Sequence, residues 1–95
     1  MRKVVINRCF GGFDISEDAY DKYLDLLNLD EGVIISVYDI ERDDIFLVQV
    51  AEEMGEKANG RYSELKIVEI PDDVEFEIQD YDGMEWVAEK HRTWR

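Results

Sequence analysis

Of 95 residues, 24 are Asp or Glu, and all of them lie between residues 9 and 89, where only Lys22, Arg42, Lys57, Arg61 and Lys66 oppose them. An unpaired carboxylate is costly to bury, so nearly every helix or strand in this stretch must keep one wet face. The chain is thereby confined to amphipathic elements around one apolar centre. Hydrophobic residues at 45% and aromatic residues at 12% supply that centre and argue against disorder. Residues 1–95 form a single domain, because half of such a chain would lack a core of its own.

The same charge bears on partners. A net −13 speaks against direct binding to nucleic-acid backbones, which need clustered Lys and Arg, and against an anionic membrane surface. Self-repulsion that keeps the protein soluble explains it simply; imitation of nucleic acid to occupy a basic partner is the sharper explanation. The ends are basic instead: Arg2, Lys3 and Arg8 at the start, then Lys90, Arg92 and Arg95, interleaved with His91 and Trp94. If the two ends meet, they form a positive patch. The start carries no signal-peptide pattern, no apolar run reaches membrane-spanning length, and the single Cys9 fits a reducing compartment, so a cytoplasmic protein is expected.

Periodicity gives the elements. Residues 3–7 read as a buried strand through Val4, Val5 and Ile6, ending at a turn with Gly11 and Gly12. Ser16 reads as an N-cap with Glu17 and Asp18 in the first turn; Tyr20, Tyr23, Leu24 and Leu27 follow at helical spacing, and the helix should end near Asn28. Residues 33–38 are rich in β-branched side chains and predict a strand. Residues 45–54 allow a hairpin arm or a helix. The apolar pattern continuing through Ala51 and Met54 favours a helix capped by Asp43 and stopped by Gly55. Residues 64–70 predict a strand. Val74, Phe76 and Ile78 then alternate with Glu75, Glu77 and Gln79, and after the turn residues Asp80, Tyr81, Asp82 and Gly83 a hairpin partner follows, in which Met84, Trp86 and Ala88 alternate with Glu85, Val87 and Glu89. The expectation is an α+β fold in the order β-α-β-α-β-β-β, with a mixed β-sheet of about five strands and two helices on one face.

Few positions offer chemistry. The turn Arg8-Cys9-Phe10-Gly11-Gly12-Phe13-Asp14 lies between a strand and a helix, where glycine loops can cradle phosphate. Its spacing matches neither the dinucleotide fingerprint nor the P-loop, and it reads equally as a tight turn with positive φ at a glycine and Phe10 and Phe13 packed beneath. Cys9 and His91 are the one thiol–imidazole combination, without an assignable third group. Asp80 and Asp82 resemble the start of a calcium loop, but the position that needs a bidentate Glu is His91. Asp72, Asp73, Glu75 and Glu77 read as turn and solvated-strand residues. Zinc is poorly served by one Cys and one His, and no cofactor is expected. In the tail, Arg92 and Trp94 combine a phosphate clamp with a stacking surface.

The opening Lys3-Val4-Val5-Ile6-Asn7-Arg8-Cys9-Phe10-Gly11-Gly12-Phe13, the string from Ser63 to Val74, and the closing residues from Asp80 to Trp94 resemble a family of short uncharacterised proteins of bacteriophage genomes. The likeness covers most of the chain and is weakest around Ile45. No activity is established for that family, so no catalytic residue carries over. The resemblance implies a phage accessory protein in the bacterial cytoplasm, of the kind that counters host defence by binding.

Three functions follow as expectations. The favoured one sequesters a small anionic, nucleotide-like ligand with Arg8, Gly11, Gly12, His91, Arg92 and Trp94, helped by homo-oligomerisation. The alternative is an acidic interaction protein that masks a basic surface of a host protein. An enzyme using Cys9 ranks last.

Overall fold

The computed structural model describes residues 1–28, 32 and 34–90. Strand β1 spans Arg2–Asn7, helix α1 Glu17–Leu27, helix α2 Ile45–Met54, and strands β2, β3 and β4 span Leu65–Ile70, Phe76–Tyr81 and Met84–Glu89. Short 3₁₀ turns lie at Val37–Asp39 and Gly55–Ala58. The fold is α+β, with four strands and two helices among the described residues.

Local chemistry sets the helices. Ser16 takes an extended conformation and its Oγ accepts the Ala19 N–H at 3.1 Å, while Asn28 ends α1 in the left-handed region at φ 54°. Helix α2 is capped by Asp44 rather than Asp43: its Oδ1 accepts from the N–H groups of Phe46 and Leu47 at 2.8 and 3.3 Å. The other oxygen of Asp44 accepts the Tyr23 hydroxyl at 3.0 Å, so one carboxylate caps α2 and ties it to α1. Burial and that bond together push the Tyr23 phenol up to about 12. Gly55 stops α2 at a positive φ of 56°.

The strands form two antiparallel ladders instead of one mixed sheet. Strand β1 pairs with β2, Val4 opposite Val68 and Val5 opposite Ile67; β3 pairs with β4, Ile78 opposite Val87. One face of the β1–β2 ladder packs Val5, Leu65 and Ile67 against the helices with Leu47, Val50, Tyr23 and Ala19. The other face packs Val4, Ile6, Val68 and Ile70 against Phe76, Ile78 and Val87 of the hairpin. The result is three layers, with the helices on one face of the central ladder and the hairpin on the other.

The strand expected at 33–38 is not formed by its described residues, and Val33 lies outside them. The Tyr20 hydroxyl accepts the Ile35 N–H at 3.0 Å and donates to the Ile35 carbonyl at 2.8 Å. A side chain thus takes the main-chain groups that a ladder would use, and Ser36 then caps the 3₁₀ turn through the Tyr38 N–H. The β-branched run therefore has no strand to join. Among the described residues no helix is long and apolar enough to cross a membrane.

Candidate interaction surface

The hairpin is joined to the body through side chains, and the joint is polar. Glu85 on β4 is only 6% exposed. Its Oε1 and Oε2 receive the two terminal nitrogens of Arg42 at 2.5 and 2.9 Å, and Oε1 also accepts the Asn7 N–H at 2.8 Å. The Arg42 guanidinium lies 3.5 Å from the centre of the Phe13 ring, held between an aromatic face and a carboxylate. Fully buried Asn7 completes the joint: its Nδ2 donates to the carbonyls of Cys9 and Gly83, both at 2.7 Å, and its Oδ1 accepts the Glu64 N–H at 2.9 Å. The arrangement neutralises a buried carboxylate and fixes the hairpin's angle. Sequence alternation placed Glu85 with Val87, and that parity was the available signal that Glu85 turns inward with an apolar neighbour.

The glycine turn is part of the same joint. Asp82 and Gly83 both have positive φ, 53° and 93°, the requirement of a tight two-residue hairpin turn. Thus Asp80 and Tyr81 complete β3, and only Asp82 and Gly83 turn the chain. A Cβ on Gly83 would stand 2.5 Å from the Gly12 nitrogen and 2.7 Å from the Phe10 carbonyl oxygen, and one on Gly11 would collide with the main chain of Tyr62. Here the glycines let backbones cross. Phe13 is buried as expected, whereas Phe10 stands out at 59% exposure.

Arg8, Gly11 and Gly12 therefore gather at the turn end of the hairpin, where Arg8 donates to the Glu85 carbonyl at 3.3 Å. His91, Arg92 and Trp94 lie outside the described residues. Lys90, which precedes them, donates its N–H to the Glu75 carbonyl at the far end of β4, about 20 Å along the strand from the turn. The start of the chain is at that far end too, since Arg2 bonds to the Val74 carbonyl and lies over Phe76. The bases at the start are already engaged: Lys3 with Glu52 at 2.8 Å, Arg2 with Asp43 at 3.9 Å, and the terminal ammonium with Asp72 at 3.2 Å. The Glu52 bond holds the Lys3 ammonium above its usual range, and Lys22, with Gln49, holds the Glu53 carboxyl below its own. Cys9 donates to the Tyr62 carbonyl at 2.9 Å, and its proposed companion His91 lies outside the described residues.

Carboxylates and aromatic rings are prominent among the groups that face solvent. Glu17, Asp18, Asp21 and Asp25 line the exposed side of α1, and Glu75, Glu77, Asp80 and Asp82 follow the hairpin. Register puts Tyr81, Met84, Gln79, Trp86, Glu77 and Ala88 on the hairpin's outer face, with Tyr81 71% and Trp86 40% exposed. Near the turn, Phe10 and Tyr62 are also exposed, and Arg61 lies over the Tyr62 ring. Comparison with known proteins finds no matching family model, no matching curated protein and no matching solved structure.

Proposed function

We propose that this chain is a binding protein, a phage-type accessory protein whose acidic, aromatic-bearing surface covers a basic face of a host protein. The observation that carries the reading is the division of charge. Arg2, Lys3 and the terminal ammonium are spent on the chain's own acids, while the carboxylates of the hairpin stand in solvent beside Tyr81 and Trp86 and those of α1 stand in solvent on the other side of the molecule. Such a surface attracts cationic side chains through charge and through ring faces. It serves recognition without any reacting group.

The test is capture from bacterial lysate by the immobilised protein over a range of salt. Capture should weaken steeply with ionic strength, disappear in Glu75→Lys/Glu77→Lys, and survive in Arg8→Ala. The ligand-sequestering reading keeps one observation in its favour: Arg8 and Arg61 lie near exposed Phe10 and Tyr62 at the turn end, a grouping able to hold an anion and stack a base. Native mass spectrometry with mono-, di- and cyclic nucleotides separates the two. A retained nucleotide mass that Arg8→Ala abolishes would replace the first reading with the second.

A further inference from the structure

The edge of β3 away from β4 is open. The Lys90 N–H donates to Glu75, and Tyr81 faces Met84 across the turn. In an antiparallel ladder, residues alternate between bonding to the partner and pointing their main-chain groups away from it. The phase set by Lys90 and Glu75 commits Glu77, Gln79 and Tyr81 to β4. The N–H and C=O groups of Ile78 and Asp80 consequently point off the far side of β3. Among the described residues, no third strand pairs with this ladder and no hydrogen bond reaches Ile78 or Asp80 from that side. On the opposite edge of the hairpin Arg8 takes the Glu85 carbonyl, at the end of β4 next to the turn.

We infer that the edge of β3 is a docking site for an extended, lysine- or arginine-bearing segment of a partner protein, added as a third strand. The inference rests on the reading of this chain as a binder of basic proteins. An incoming strand shares faces with β3 residue by residue. Its outward side chains would lie beside Glu77, Gln79 and Tyr81, with Trp86 one strand further, which suits cations. Its inward side chains would lie beside Phe76 and Ile78, which suits aliphatic residues, and beside Asp80 at the turn end of the row. The apolar groove of about 260 Å³ between the hairpin and β2, walled by Val68, Ile70, Val74, Phe76 and Val87, adjoins that inward side. A second copy of this chain fits poorly, because it would bring another net −13 against the same carboxylates.

The probe is a synthetic eight-residue peptide alternating lysine and valine. Binding should slow hydrogen exchange at the Ile78 and Asp80 amides about tenfold or more, since each gains a hydrogen-bond acceptor. Asp80→Pro removes an outward N–H while sparing the ladder to β4, and should weaken binding about tenfold, well beyond Asp80→Asn, which removes only the charge. Unchanged exchange at Ile78 and Asp80 in the wild-type complex would overturn the inference even if Asp80→Pro fails to fold. So would equal affinity in folded Asp80→Pro, or no binding at low salt. None of these results touches the acidic-surface reading, which stands or falls on salt-dependent capture and its loss in Glu75→Lys/Glu77→Lys.

Discussion

The two faces of the β1–β2 ladder are held by different physics. On the helix side, Val5, Tyr23, Leu47, Val50 and their neighbours form a broad apolar cluster, and the polar groups there serve as caps. On the hairpin side the buried apolar set shrinks to Val4, Ile6 and Ile70, with Val68, Phe76, Ile78 and Val87 partly buried. An ion pair, an asparagine and the crossing of Gly83 over Gly12 do the rest. Apolar contact tolerates small changes of angle; a two-pronged Arg42–Glu85 pair and a glycine-on-glycine crossing do not. The helix side is thus fastened by area and the hairpin side by geometry.

The largest expected effect breaks the hairpin joint. Arg42→Ala leaves the Glu85 carboxylate buried without its cation and should cost about 3–5 kcal/mol of unfolding free energy in urea titration. Arg42→Met/Glu85→Leu should recover part of that loss, because the pair's removal also removes the cost of burying it, offset by the Asn7 N–H that loses its acceptor. If the double variant is no more stable than Arg42→Ala, the pair contributes more than charge compensation. On the helix side, Asp44→Ala should cost about 0.5–2 kcal/mol as a lost cap, with somewhat more if the freed Tyr23 hydroxyl finds no other acceptor. Its loss should lower the melting temperature while leaving the exchange of hairpin amides unchanged.

The effect confined to the narrowest range of conditions is a pH limb. Tyr23 ionises near 10.0 in an unfolded chain and about 12 in the fold. Its contribution is therefore complete below pH 10 and is lost as pH rises from there towards 12, where the unfolded chain gives up its proton first. Tyr23→Phe should flatten that part of the stability profile, and an unaltered profile would place the alkaline loss elsewhere.

These contrasts explain what the sequence could disclose. Helix α1 was legible from Ser16 to Asn28 because its caps act over three or four residues. Helix α2 and the β2, β3 and β4 runs were legible from periodicity. The cap slipped from Asp43 to Asp44 because the Tyr23 hydroxyl, a contact between helices, selects between adjacent carboxylates. Residues 34–36 misled because Tyr20 satisfies Ile35 from a distance no local pattern encodes. Of the candidate site, Arg8, Gly11 and Gly12 do lie together, but alternation alone could not say that Glu85 would cross the molecule to meet Arg42. The division of β strands into two ladders was equally hidden, since it depends on which groups close the free edge of β1: Arg42 at Val5 and Glu85 at Asn7.

The pairing of β1 with β2 has a consequence for synthesis. Arg2 meets Ile70 and Asn7 meets Leu65, so β1 waits for the synthesis of a strand about sixty residues further on before its ladder can close. Helices α1 and α2 can form in the meantime, and the hairpin, whose two arms are separated by a two-residue turn, closes quickly once released. Until then Val4, Val5 and Ile6 are an uncovered apolar strand on a nascent chain. Arg2, Lys3 and Arg8 flank it, and like charges at the ends of an apolar strand oppose its pairing with a second copy.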